Sequence, residues 1–312
     1  LTMNDNNFLA FRMFGGTGNQ FFQYAHGRAL SLSVNKKLIL DNSFYKDSTI
    51  DFHWGFKGKK SKYNLNQFTI SNDVELIDDC YEHSYRFYKY ILNYLPTFIK
   101  KKFFNSSKYN IKKFNFEKIL FNQSKTLKKE EDYNSSYYLG YWQSTKYFKN
   151  YEKILKKELQ LKNIKSGVKK FTKSIKSNMV AIHVRGGDVL TLKDNTYVAG
   201  NTYYYKVIQK LKKEVPNIKY HFFSDDLVYL EKIINSLEIK NYKIISKLKK
   251  FTDLEEFFIM QNYKYLVISA STFSWWAAWL GNKKDNKIFS PKIWVNGKDF
   301  PKELKFKNLK LI

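Results

Sequence analysis

The sequence predicts an α/β protein of two domains, and three observations carry that reading. Short apolar runs alternate with stretches whose apolar residues recur every three or four positions. A glycine-rich turn follows the first apolar run. The length, 312 residues, accommodates two domains of about 150 residues each.

The first unit reads strand, glycine turn, helix, strand. Residues 8–14 are apolar and aromatic, and Gly15-Gly16-Thr17-Gly18 interrupts them. Phe21, Tyr24, Ala25 and Ala29 then repeat at helical spacing, and residues 37–40 form a second strand that ends in Asp41. His26 falls inside the helix and is read as a helix residue with no catalytic role. Gly16-x-Gly18 after one strand, with Asp41 after the next, suggests a dinucleotide-type fold. Phe21 occupies its third glycine position and leaves the fingerprint incomplete.

Residues 43–70 show no clear period, and residues 84–128 mix Lys with Phe, Tyr and Ile in a pattern compatible with helix. A strand is expected over residues 137–142 and a helix around 147–160, with the domain boundary near residue 170.

The second half alternates more regularly. Strands are expected at 179–184, 219–223, 242–245, 265–269 and 287–290. Tyr204, Val207, Ile208 and Leu211 mark one intervening helix, and Leu230, Ile233, Ile234 and Leu237 the next. Thr252-x-x-Glu255 is a capping box that opens a third. Residues 273–280 form a fourth, closed by Gly281. This alternation is that of a parallel sheet wound by helices.

Composition narrows the function class. Net charge is +27, from 55 Lys plus Arg against 28 Asp plus Glu. Such a field draws nucleic acid, acidic lipid or phosphorylated substrates, although Lys spread along a chain is ordinarily a solvated surface. Cys80 is the lone cysteine, which excludes an internal disulfide and a Cys-based zinc site and suits a reducing cytoplasm. No run reaches the roughly 18 apolar residues of a membrane span. The opening Leu1-Thr2-Met3 shows no leader pattern.

Ligands of open α/β sheets bind beyond the carboxyl ends of the strands, and the polar segments of interest lie there. His183-Val184-Arg185-Gly186-Gly187-Asp188 follows the first strand of the second half. Ser224-Asp225-Asp226 follows the second, and Ser269-Ala270-Ser271-Thr272 the fourth. A parallel sheet would bring all three to one rim. Arg185, beside two glycines, is a permanent cation where backbone can approach a ligand. Ser271 and Thr272 open a helix, where phosphate is favoured. Asp226 could accept hydrogen bonds from a base or ribose, and Phe273 could stack on a base or sugar. Trp276 and Trp279 read as core. The competing reading pairs Arg185 with Asp188 and makes Asp226 and Thr272 simple helix caps.

Several signatures are absent. There is no P-loop and no Asp-x-Asp, and the five histidines are scattered. The adjacent acids Asp78-Asp79 and Asp225-Asp226, if on strands, would point to opposite faces and make a poor metal clamp. The expectation is a site without metal or cofactor, in which Arg, Lys and backbone amides meet a leaving diphosphate.

Three segments carry a resemblance. Gly15-Gly16-Thr17-Gly18-Asn19-Gln20-Phe21-Phe22-Gln23-Tyr24-Ala25 resembles the N-terminal signature of the α-1,2-fucosyltransferases, glycosyltransferase family eleven. His183-x-Arg185-x-x-Asp188 resembles the motif shared by α-1,2-, α-1,6- and protein O-fucosyltransferases. Ser271-Thr272-Phe273-Ser274-Trp275-Trp276 resembles the family's C-terminal signature. The resemblance implies a GT-B-like architecture of two Rossmann-like domains facing across a cleft. Residues 1–170 would form the acceptor side and residues 171–312 the GDP-fucose side.

It further implies an inverting transfer of fucose to a galactose 2-hydroxyl of an oligosaccharide or surface glycan, as in lipopolysaccharide assembly. Arg185 would contact the diphosphate, and Asp188 would be a candidate base or a brace for Arg185. His183 and Asp226 would lie near the guanosine, and Ser271 and Thr272 near the phosphates. Gly16 and Asn19 would serve the donor and Gln20 the acceptor. The family usually has Arg where this chain has Gly186. Another GDP-sugar transferase of the same architecture is the near alternative. A basic membrane- or nucleic-acid-binding protein is the distant one, and no RNA-binding motif supports a nucleic-acid partner. The expected location is cytoplasmic, with residues 84–128 offered to acidic lipid on the inner membrane face.

Overall fold

The computed structural model describes residues 8–46, 61–77, 137–138, 140–190, 198–295 and 297–312. The chain divides into two units, Leu1–Gln160 and Leu161–Ile312. The division falls earlier than residue 170 because helix α4, Ser166–Lys173, packs on helix α7 of the second unit, Asp253–Met260. An ion pair of 3.0 Å between Lys165 and Glu255 joins the same parts.

In the first unit, β1 (Phe8–Arg12) and β2 (Lys37–Asp41) flank the long helix α1 (Thr17–Val34) in sequence. The short helix α2 (Ser43–Lys46) follows, then β3 (Glu75–Ile77), β4 (Tyr137–Tyr138) and helix α3 (Glu152–Glu158). The four strands pair in parallel in the order β3-β2-β1-β4. β1 is buried along its whole length, as a parallel strand covered on both faces must be.

Arg28 of α1 forks onto Glu158 of α3 at 2.9 Å, and Tyr24 donates to the same carboxylate at 2.7 Å. Burial and Glu158 both push the Tyr24 phenol well above its ordinary range. The expected helix over 147–160 begins later, at Glu152. The residues before it form two tight turns, Thr145–Tyr147 and Lys149–Tyr151, the first capped by Ser144.

The second unit contains β5 (Met179–Val184), α5 (Asn201–Glu214), β6 (Lys219–Ser224), α6 (Leu227–Asn235) and β7 (Tyr242–Ile244). Helix α7, β8 (Tyr265–Val267), α8 (Thr272–Gly281) and β9 (Lys287–Ser290) follow. The hairpin pair β10 (Ile293–Val295) and β11 (Lys298–Asp299) precedes β12 (Leu309–Leu311). The main sheet runs β12-β9-β8-β5-β6-β7, parallel at every pairing. Counted from β5, that is the Rossmann order 3-2-1-4-5-6. The sixth strand, β12, was not among the expected ones.

The helical stripes read from sequence are the buried ones: Tyr204, Val207, Ile208 and Leu211 on α5, and Leu230, Ile233 and Ile234 on α6. The Thr252–Glu255 capping box is formed in both directions. Gly281 departs from expectation. It does not end α8 in a left-handed turn; it is the helix's last residue, and a Cβ there would lie 2.5 Å from the Gln261 carbonyl. Its smallness lets α8 pack on the segment after α7.

No helix among the described residues is long and apolar enough to cross a membrane. The stretch 84–128, with its expected helix and lipid contact, lies outside the described residues, as do Asp78, Asp79 and Cys80.

Candidate functional site

In the Rossmann order the chain turns back between the first and fourth strands, and the crevice outside their carboxyl ends is where ligands bind. Here those strands are β5 and β8. β5 delivers His183 and Arg185 to that rim, β6 delivers Asp225 and Asp226, and β8 leads through Ser269 and Ser271 into α8. Parallel pairing of β5 with both neighbours thus brings the three expected segments to one edge.

The exits of β5 and β6 are stitched together. The Gly186 amide donates to Oδ1 of Asp225 at 3.0 Å, and the Gly187 amide to Oδ2 of Asp226 at 3.1 Å. The other Asp226 oxygen caps α6 by accepting from the Tyr229 amide at 2.9 Å. The hydrogen bond from Tyr229, with that from Gly187, holds the Asp226 carboxyl below its ordinary value. Each of its oxygens thus accepts from a backbone amide, which makes Asp226 a helix cap and loop brace.

Gly187 has φ +59, and a Cβ on Gly186 would lie 2.6 Å from the Asp226 Cβ. Two glycines are therefore needed where the loop crosses the acids.

Arg185 sits on this loop with its side chain 31% exposed. Nη1 donates to Asp225 and Nη2 to Asp188, each at 2.5 Å. The guanidinium plane is fixed by two charge-assisted bonds. Asp225 is the residue that the sequence reading left out of the site. The opposite-faces argument bears on the pair as a metal clamp, and β6 ends at Ser224, so strand alternation does not govern it. Both acids reach the same loop.

His183 is buried, and its Nδ1 lies 2.8 Å from the Ser269 hydroxyl, a bond between the ends of β5 and β8. Burial, helped by Arg185, lowers its pKa to about 3, so the ring is neutral near pH 7. Its carbonyl accepts from the Tyr204 hydroxyl at 3.1 Å. Phe273 is half-buried and packs on Phe257 at 5.1 Å and on the His183 ring at 5.9 Å. Ser271 is the N-cap residue of α8, but its side chain makes no capping bond, and the first turn, beginning at Thr272, holds no acidic residue. Trp276 and Trp279 are core, as expected.

Glu256 was also missed. It accepts from the Ser246 hydroxyl at 2.6 Å, and Ser246 in turn accepts from the Ser224 amide at the end of β6. Burial raises the Glu256 pKa to about 7. Its only sequence signal was its place beside Glu255 of the capping box.

Gly16, Asn19 and Gln20 belong to the first unit. Gly16 is the exposed N-cap residue of α1. Asn19 accepts from Gln143 at 3.0 Å. Gln20 is fully buried: it donates to the carbonyls of Gly15 and Lys62 and accepts from the Asn64 amide at 2.8 Å. It braces the turn, which corrects its expected exposure to an acceptor. Asp41 is buried and paired with Arg12 at 3.7 Å, so it is not offered to a ribose.

Comparison with known proteins places this geometry in context. The model of glycosyl transferase family 11 matches residues 57–308, a stretch that includes the Arg185 and Ser271 segments. An alpha-1,2-colitosyltransferase of Escherichia coli is 30% identical over 289 residues, 91% of each chain. The O-antigen biosynthesis glycosyltransferase WbnK, also of Escherichia coli, is 25% identical and covers 91% of this chain and 93% of its own. Among solved structures, the fucosyltransferase NodZ from Bradyrhizobium aligns over 87% of this chain and 92% of its own, with 12% identity and a TM-score of 0.44. A likeness of that degree decides nothing about the site.

Proposed function

The chain belongs to glycosyl transferase family 11, and from that premise we propose that it moves L-fucose from GDP-fucose to a galactose 2-hydroxyl of a surface glycan. One observation carries the donor half of this reading. At the turning point of a Rossmann-ordered sheet, a braced, part-exposed arginine lies on the loop that leaves β5, and the neighbouring strand β8 leads into a helix without a side-chain cap. A guanidinium and a helix start are both suited to a diphosphate.

In this reading the acceptor oxygen attacks C1 of the sugar from the face opposite the nucleotide. The C1–O bond to phosphate breaks and the diphosphate leaves with its electrons. The transition state has oxocarbenium character, so charge gathers on the departing oxygen. Arg185 and the first amides of α8 meet that charge. Asp188 and Asp225 keep the guanidinium in place, and neutral His183 ties the two strand ends beneath it. The acceptor proton passes to a base.

The relatives' names support a sugar transferred in 1,2 linkage during O-antigen assembly. The colitosyltransferase relative favours a second reading, in which GDP-colitose is the donor. The test is product analysis with GDP-fucose, GDP-colitose, GDP-mannose and UDP-galactose on galactose-terminated acceptors. An α-1,2-fucosyl product is expected; transfer from another donor alone overturns the fucose assignment.

A further inference from the structure

The first sheet also has a turning point, between β1 and β4 in the order β3-β2-β1-β4. The loops that leave those two strands are locked together. Buried Gln23 accepts from the Phe14 amide at 3.1 Å and donates to the Phe14 and Gly140 carbonyls, each at 3.3 Å. After β4, Trp142 takes a left-handed conformation, φ +52, and buries its indole 4.6 Å from the His26 ring. Gly140 makes room for it, since a Cβ there would lie 3.0 Å from the indole. A left-handed, bulky residue is costly and persists where its surroundings fix it.

With Trp142 anchored inward, its neighbours Tyr141 and Gln143 are half-buried at the surface. The Tyr141 ring lies 4.8 Å from Phe14, and Gln143 donates to Asn19 of α1 at 3.0 Å. At the ends of β1 and β2, Arg12 and Asp41 are both buried and form an ion pair 3.7 Å apart. The two loops therefore present an aromatic face beside paired carboxamides, on a preformed frame. Such a surface suits a neutral sugar, whose C–H face stacks on a ring and whose hydroxyls exchange hydrogen bonds with amides. The rim around Arg185, by contrast, suits an anion.

We propose that Tyr141, Gln143 and Asn19 form the subsite for the acceptor's neutral hexose. The proposal rests on the reading of the chain as a sugar transferase, and two measurements separate the two. The first is steady-state kinetics of the full chain and of Tyr141→Ala, Tyr141→Phe and Gln143→Ala, with melting temperatures. Tyr141→Ala is expected to raise the acceptor KM about tenfold or more, leaving donor KM and acceptor-independent donor hydrolysis within about twofold, the size of a lost base- or sugar-stacking contact. Tyr141→Phe should keep the KM, and Gln143→Ala should raise it several-fold.

The second measurement is saturation-transfer NMR with lactose and methyl hexosides as probes and GDP present. Signals are expected in the parent chain and should disappear in Tyr141→Ala. If no sugar nucleotide is turned over but the sugar signals behave this way, the transferase reading fails and the subsite stands. Equal acceptor KM or equal sugar signals in folded Tyr141→Ala and parent, or no sugar signal in the parent, overturns the subsite.

Discussion

Arg185 and Asp225 leave different strands, yet their side chains meet at 2.5 Å between Nη1 and Oδ2. The other oxygen of Asp225 takes the Gly186 amide. One carboxylate thus sets both the arginine and the loop that carries it. Asp225→Asn keeps the shape but weakens the charge-assisted bond. We expect kcat to fall roughly tenfold, about 1.4 kcal/mol, with little change in melting temperature. Asp188→Asn should fall similarly. Steady-state kinetics on both variants checks this, and parent-like kcat in Asp225→Asn would remove it as a brace.

Gly186 stands where the family usually has arginine. The obstacle to a side chain is the Asp226 Cβ, 2.6 Å from where a Cβ would sit. Gly186→Ala and Gly186→Arg should therefore both raise the donor KM and lower the melting temperature by several degrees, for a strain of about 1–3 kcal/mol. Restoring the family's usual charge should not help. A Gly186→Arg enzyme more active than the parent would show that the loop relaxes and that steric conflict is not in control.

Activity should persist in excess chelator. The oxygens of Asp225 and Asp226 are engaged by Arg185 and by three backbone amides. Among the described residues, no group of three or more His, Cys, Asp and Glu is placed to hold a metal ion. Loss of turnover on adding chelator, restored by magnesium or manganese, would refute this.

Stability should respond to pH in two opposed windows. Burial depresses His26 and His183 to about 3 and His221 to about 4, from 6.5. The unfolded chain gains these protons first, so the histidine contribution is full above about pH 6.5 and is lost as pH falls. Glu256 runs the other way. Raised from 4.5 to about 7, it holds a proton that the unfolded chain releases, so its contribution is full at low pH and lost as pH rises through 7. Melting curves across pH should show a flatter acid limb for His26→Phe and a flatter slope between about pH 5 and 7 for Glu256→Gln. Unchanged slopes would contradict both assignments.

Much of the second unit was legible because its signals are local and regular. β5 is a short apolar run, α5 carries its stripe from Tyr204 to Leu211, and the Thr252–Glu255 box forms as read. What escaped the sequence depends on tertiary contact. β12 has only three residues, and it is a strand because Leu309–Leu311 finds the edge of β9. Gly281 looks like a helix stop, yet its smallness answers the backbone of Gln261. Gln20 sits among polar motif residues and is buried because Lys62 and Asn64 come back to it from more than 40 positions away. Asp225 carried no role in the sequence reading, because its grip on Arg185 and on the Gly186 amide joins the exits of two strands 40 positions apart.

The central claim, that the rim around Arg185 holds the donor's diphosphate, is tested most directly by calorimetric titration of GDP into the parent chain, Arg185→Lys and Arg185→Ala. Melting temperatures and kcat would be measured on the same preparations. The account predicts GDP binding at least about tenfold weaker in Arg185→Ala. It also predicts a kcat lower by roughly 100-fold, on the order of 3 kcal/mol as for loss of an oxyanion donor, with the fold intact. Lysine should recover little, because it keeps the charge without the planar fork that Asp188 and Asp225 grip. A folded Arg185→Ala chain that binds GDP and turns over like the parent would contradict it.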